Sequence, residues 1–317
     1  MAKYLVGRVL SMIPLLVLIS ILAFALVHMM PGDPLEMMIN PGITSLEMEK
    51  QRERLGLNDS VLSQYFAWIG QILRGNLGFS ISSYEPISKI LMERIPATLL
   101  LMGTSMLISL LIAVPVGVIT AKWQYTKLDY AFTAFSIFGI SMPSFFLGLC
   151  MIFLFSVKLG LFPTGMMTTP GSAFSIGDLL HHLALPAIVL GINGAAQYTR
   201  YVRAQMIEIL RQDYIRTARA KGTSESKVTF AHGLRNGLMP VITLLGMQLP
   251  SLLGGAVITE QIFSWPGIGR LMVKSVFARD YPVMMALILI TAVLVVLGNL
   301  LADIFYAVAD PRVKLGA

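Results

Sequence analysis

The chain has 317 residues, of which 56% are hydrophobic and only 13% charged, with a formal net charge of +7 and a mean hydropathy of +0.74. Soluble domains carry about 25% charged residues, so this composition excludes an ordinary soluble protein and points to a lipid solvent. Nor does the positive charge point to nucleic acid, because the basic residues lie between apolar runs without interleaved aromatics.

Six apolar runs are long enough to cross ~30 Å of hydrocarbon, which takes about 20 residues. They are residues 9–30, 97–121, 130–157, 183–199, 238–259 and 283–302, and none contains Asp, Glu, Lys or Arg. The first carries Lys3 and Arg8 ahead of it and an Ala23-Phe24-Ala25 triplet, as a cleaved secretory signal would. The apolar run continues to Met30, however, so an uncleaved first span is expected. His28 is expected at the outer end of that span. Pro14, Pro115, Pro143, Pro186 and Pro250 fall inside runs and predict kinks, which membrane helices tolerate when neighbours satisfy the freed carbonyl. The single Cys150 reads as a packed thiol inside the third run.

Between the first two spans, residues 31–96 are too many for a connector. Pro31-Gly32-Asp33-Pro34 is expected to end the first helix, and 45–55 is charged and helix-prone. In 60–73, Leu62, Tyr65, Phe66, Ile69 and Leu73 recur at helical spacing. This predicts a small external helical cap, or alternatively an interfacial helix lying on the membrane surface. His181 and His182 are adjacent, diverge by about 100° on a helix and so make a poor chelate; they are expected at the entrance to the fourth span. The fourth run is short and is expected to continue as helix into the loop that follows.

That loop, 200–236, holds eight of the 24 Lys and Arg residues. With the N-terminus in the cytoplasm, the inside segments hold fourteen and the two short outside loops four. The positive-inside rule then places both termini and this loop in the cytoplasm. Within it, Ile207, Leu210, Tyr214 and Ala218 share a helical face, Gly222 is a natural helix stop, and Ser224 with Glu225 is a restart. The expectation is two short helices around a hinge, either a topology-setting basic loop or a docking element.

No G-x-x-x-x-G-K-[ST] loop, G-x-S-x-G elbow or H-E-x-x-H motif occurs, so the chain is not expected to be an enzyme or to hydrolyse ATP itself. Asn193 and Gln197 share a helix face in the fourth span and Gln248 interrupts the fifth. Such groups line a pathway or make interhelical hydrogen bonds. An autonomous channel or secondary transporter is disfavoured because the apolar cores lack the ionisable groups that ion coupling uses; Glu260 and Asp303 are expected just beyond span ends, in reach of water or headgroups.

The run Tyr214-Ile215-Arg216-Thr217-Ala218-Arg219-Ala220-Lys221-Gly222, then His232-Gly233-Leu234-Arg235-Asn236 and Pro240, resembles the cytoplasmic loop of ABC-importer permeases, in the branch that imports peptides and nickel. The general importer loop begins Glu-Ala-Ala; here Arg216 stands in place of the Glu and only Ala218 matches the alanine pair. The resemblance extends to Pro31-Gly32-Asp33-Pro34, Gly75-Asn76-Leu77-Gly78, Glu260 with Trp265-Pro266-Gly267-Ile268-Gly269, Arg279-Asp280-Tyr281-Pro282 and Asp303 to Arg312. It implies an all-α permease of the bacterial inner membrane: a first helix in 1–30, an external helical segment in 31–96, and a five-helix core in 97–317. It also implies a coupling helix at Tyr214, Arg216, Ala218, Arg219, Lys221 and Gly222. The implied partners are a second, non-identical permease, two cytoplasmic ATPase subunits carrying ATP and Mg, and an extracytoplasmic binding protein. This chain itself would bind no metal or cofactor. Peptides are the expected cargo, with nickel the alternative.

Overall fold

A computed structural model describes residues 2–29, 58–238 and 256–309, with 241, 245 and 248 between the last two segments. Among the described residues the fold is all-α, and the only β pairing is an isolated antiparallel bridge between Phe79 and Pro86. The helices are α1 (Ala2–His28), α2 (Val61–Leu73), α3 (Ile87–Lys122), α4 (Lys127–Ser141), α5 (Ser144–Met151), α6 (Ile176–Leu210), α7 (Asp213–Ala220), α8 (Glu225–Lys227), α9 (Arg235–Gly237), α10 (Val257–Ile262), α11 (Ile268–Phe277) and α12 (Tyr281–Ala309). π-helical stretches Ile152–Lys158 and Val228–Leu234 extend α5 and α8.

Four of these helices, α1, α3, α6 and α12, contain stretches long and apolar enough to cross a membrane, and α4 with the α5 segment forms a bent apolar pair, the geometry of a broken span or of a re-entrant loop. As expected, α6 carries the fourth span straight on to Leu210. The predicted fifth span, 238–259, falls largely outside the described residues, as do the Pro31–Pro34 break and the 45–55 segment.

The third predicted run is not one kinked helix. Lys127–Ser141 and Ser144–Lys158 are bent by 102°. Proline disfavours helical geometry in the residue before it, and Met142 is accordingly extended (φ −81°, ψ 121°) while Pro143 starts α5. Each arm has 15 residues, about 22 Å of helix, too short to span ~30 Å alone. Cys150, expected to be packed, is exposed on α5.

The centre of the molecule is the contact of α3 with α6. Small residues bring the backbones together, as in membrane helix pairs generally. A Cβ on Gly191 would come within 2.6 Å of the Ile108 side chain. The Ser109 hydroxyl donates to the Gly191 carbonyl across the helices at 2.9 Å. Toward one end of this pair Val118, Ala121, Val202, Met206 and Val241 form a core; toward the other, Ala97, Leu101, Leu183, Ala187 and Trp265 form a second. α1 runs beside α12, and Arg8 Nε meets Asp303 Oδ2 at 2.8 Å, which puts the start of the first helix beside the last turns of the final one.

At the opposite end, two buried carboxylates tie α3 and the segment before it to the C-terminal helices. Asp280 accepts from the Ser80 and Ser82 hydroxyls and from the Ile81 and Ser82 N–H groups. Glu260 is fully buried, so the expectation that water or headgroups reach it is wrong. Its carboxylate accepts from the Thr98 hydroxyl at 2.8 Å and from the Arg270 N–H at 2.9 Å. Thr98 in turn accepts from the Ile268 N–H at 2.8 Å. Two of the free N–H groups opening α11 are thus capped from outside the helix, where the helix dipole favours a carboxylate. The Trp265 indole donates to the Ala97 carbonyl at 2.8 Å, completing the joint. His182 and His181 stand in the early turns of α6 as expected. There they hold the 159–175 loop, His182 through the Gly165 carbonyl at 2.7 Å and His181 through the Leu161 carbonyl at 2.6 Å.

Candidate coupling surface and pathway

The basic loop folds as a helix–glycine–helix module seated on the end of α6. α6 stops at Leu210 and α7 begins at Asp213. The continuous face running from Ile207 through Leu210 to Tyr214 and Ala218 is therefore interrupted. Ile207 and Leu210 pack against the core around Met206, whereas Tyr214 is 44% exposed. The buried anchor of α7 is Ile215, fully covered, which the face count had missed although it is the only aliphatic side chain larger than alanine in that helix.

Gly222 ends α7 as expected. It has φ +76°, a left-handed conformation in which glycine avoids the steric penalty of a Cβ. Its N–H donates to the Arg219 carbonyl at 2.9 Å, and the Thr223 N–H donates to the Ala218 carbonyl at 3.2 Å, the paired bonds of a Schellman stop. Ser224 occupies the restart position with extended backbone, but its hydroxyl makes no cap hydrogen bond. The second half of the module folds back on α6: Val228, Thr229, Gly233 and Gly237 are buried, and both glycines face Met206.

The predicted docking cations separate into two kinds. Arg219 is occupied within the module: its Nε donates to Glu225 Oε1 at 2.7 Å and its Nη2 to Oε2 at 3.4 Å. That hydrogen bonding holds the Glu225 carboxyl below its ordinary range. A depressed carboxylate keeps its contact above that range, so the link is intact at neutral pH and is lost as acid protonates Glu225. Arg216, in contrast, has a side chain 78% exposed and only a 3.7 Å contact to Asp213. Lys221 is exposed and Ala218 half-buried. Arg216, Lys221 and Tyr214 therefore present the module's outer surface. Beside it Ala204, Ile207, Glu208, Arg211, Gln212 and Asp213 line an open groove of about 420 Å³ where α6 meets α7.

A residue pair that the sequence reading missed connects this module to the bent α4–α5 pair. Arg203, one turn before Ile207 on α6, donates from Nε and Nη2 to the two carboxylate oxygens of Asp129 at 3.0 and 2.9 Å. Asp129 is 3% exposed and also accepts from the Tyr125 N–H at 3.0 Å. This two-pronged pairing fixes direction as well as distance. It ties the start of α4 to the helix that carries α7.

Of the predicted pathway residues, Asn193 and Gln197 lie one turn apart on α6. Asn193 is half-buried and donates to its own helix at the Val189 carbonyl, 3.2 Å away, rather than across helices. Gln197 is exposed, on a face that continues through Tyr201, Ala204 and Glu208. Gln248 is half-buried, but the segment around it is largely outside the described residues. Among the described residues no group of three or more His, Cys, Asp or Glu is placed to hold a metal ion.

Known proteins resemble this chain from end to end. Residues 113–315 match the family described as binding-protein-dependent transport system inner membrane component. Residues 1–102 match its N-terminal companion family. The oligopeptide transport system permease protein AppB of Bacillus subtilis is 50% identical, over 99% of this chain and 100% of its own length. A putative peptide permease protein of Brucella suis is 44% identical over 99% of this chain and 100% of its own length. The glutathione transport system permease protein GsiC of Escherichia coli is 39% identical over 99% of both chains. Among solved structures, a chain of the inward-facing MetNI methionine ABC transporter superposes with a TM-score of 0.59 at 19% identity, covering 71% of this chain and 99% of that one.

Proposed function

The chain belongs to the binding-protein-dependent transport system inner membrane components, the permeases of ABC importers, and from that membership we propose that its cargo is peptides. It is an integral inner-membrane transport subunit, and ATPase subunits power it. The observation that carries the cargo assignment is full-length similarity to permeases named for oligopeptides, peptides and glutathione. Glutathione is itself a tripeptide, so a single cargo chemistry covers all three names. Nickel is the alternative cargo of the branch.

In this reading the N- and C-termini and α7 face the cytoplasm. α7 is the coupling helix, with Tyr214, Arg216 and Lys221 meeting acidic and apolar groups of an ATPase subunit. Ala218 and Gly222 shape its end, and Arg219 braces it through Glu225. ATP and Mg are held by the ATPase subunits. A second, non-identical permease completes the pathway, to which Asn193, Gln197 and Gln248 contribute, and an extracytoplasmic binding protein delivers the peptide. Motion passes from α7 through the segment packed on Met206 into α6, and from Arg203 to Asp129 on α4. A rigid-body linkage of this kind fits domain motions driven by an external motor.

Reconstitution tests the proposal. The chain, co-purified with its partner permease and ATPases in proteoliposomes and supplied with the binding protein, is expected to accumulate labelled di- to oligopeptides only with ATP. Accumulation without ATPase subunits, or of nickel and not peptides, contradicts it.

A further inference from the structure

Helix α2 has three distinct sides. Tyr65 and Trp68 turn toward α1, where their rings meet Phe24 at centroid distances of 5.5 and 5.8 Å. About 100° further round, at the 3.6-residue period, Leu62, Phe66 and Leu73 form an apolar side that is 70%, 68% and 82% exposed. The third side carries Ser63, Ala67 and Gln71. Burial against protein thus explains only one of the two apolar sides.

The depth of α2 says what meets the other. The Ser20 hydroxyl donates to the Val17 carbonyl at 2.7 Å, which uses its one proton, so the Tyr65 hydroxyl donates to Ser20 Oγ, 2.8 Å away. Ser20 lies eight residues before His28, the end of the 19-residue apolar stretch of α1, and thus about 12 Å along the helix from that end at 1.5 Å per residue. A stretch of 19 residues is barely enough to cross the hydrocarbon, so the His28 end lies at the membrane boundary and Ser20 lies below it. A helix whose tyrosine reaches Ser20 sits at that boundary, not above it.

We infer that α2 is a membrane-interface helix whose Leu62–Phe66–Leu73 side is immersed in lipid acyl chains, with the Ser63–Ala67–Gln71 side facing water. Such a helix needs an apolar face, a polar face and aromatic residues at headgroup level. Here the protein supplies a third contact, the Tyr65–Ser20 bond, that sets the depth. The inference rests on α1 crossing a membrane and not on the identity of the cargo.

Collision-accessibility electron spin resonance tests it. In a Cys150→Ala background, nitroxide labels are placed at Phe66→Cys or Leu62→Cys, with Ala67→Cys for the opposite side. The full chain, with the subunits it purifies with, is held in phosphatidylethanolamine–phosphatidylglycerol nanodiscs. All three positions are on exposed sides of α2, so folding is not at stake. The expected result is several-fold greater collision with oxygen than with water-soluble nickel chelate at 66 and 62, and the reverse at 67. Nickel-dominated collision at 66 and 62 places the helix in water and overturns the inference. Protection from both reagents there means that protein covers this side, and overturns it equally.

Discussion

Replacing Glu260 by alanine is expected to lower the stability of the joint between α3 and α11 by about 2–6 kcal/mol, about 1–3 kcal/mol for each of the two buried donors it strands. The carboxylate is fully buried and is the acceptor for the Thr98 hydroxyl and the Arg270 N–H. Alanine leaves both donors without an acceptor where water does not reach, and it uncaps the start of α11. Glu260→Gln keeps one carbonyl oxygen and has the smaller effect. Thr98→Val removes one donor to Glu260 and one acceptor for Ile268, and the two substitutions together are less than additive because they dismantle one network. Thermal unfolding of the detergent-solubilised complex, followed by size-exclusion fluorescence, measures each change. An unaltered midpoint for Glu260→Ala contradicts this role.

Arg203→Ala is expected to destabilise the chain by about 2–4 kcal/mol, less than a fully buried pair, because the Arg203 side chain is 31% exposed while that of Asp129 is only 4% exposed. The substitution strands Asp129 with the Tyr125 N–H and a long 3.4 Å contact from the Thr133 hydroxyl. Its functional signature is distinct from its stability effect. With the α4–α6 link cut, ATP hydrolysis by the assembled complex continues while peptide uptake per ATP falls. Arg203→Lys keeps the charge but loses the two-pronged geometry, and gives an intermediate ratio. Asp129→Asn combined with Arg203→Ala recovers part of the stability and none of the coupling. Equal loss of hydrolysis and uptake in Arg203→Ala marks the pair as purely structural.

Four of the six spans, the continuation of the fourth into one long helix, the helix in 60–73 and the glycine stop at Gly222 were legible in the sequence, because each depends on local periodicity or on one residue's backbone freedom. The break at Pro143 was legible only as a kink. Pro14, Pro96, Pro115 and Pro186 sit inside unbroken helices, and nothing local separates them from Pro143. Which proline becomes a bend depends on whether surrounding groups satisfy the freed carbonyl. The carboxylates were hardest to place. Glu260 meets Thr98 across 162 positions and Arg203 meets Asp129 across 74. No spacing rule encodes such a pair, so a buried, capped Glu260 read as a water-accessible one. Ile215 was overlooked for a different reason: the count followed one uninterrupted helix, and the turn at Arg211 and Gln212 resets the face.

Cross-linking tests the central claim, that α7 is the surface through which the ATPase drives this chain, most directly. Single cysteines replace Arg216, Lys221 or Ile215 in a Cys150→Ala chain, and a short bifunctional thiol reagent is applied to the assembled complex in membranes. The expected result is cross-links to an ATPase subunit from positions 216 and 221, which are exposed, and none from 215, which is buried; the yield changes when ATP is added. Absence of cross-links at 216 and 221 in a complex that still hydrolyses ATP and transports peptide contradicts the claim.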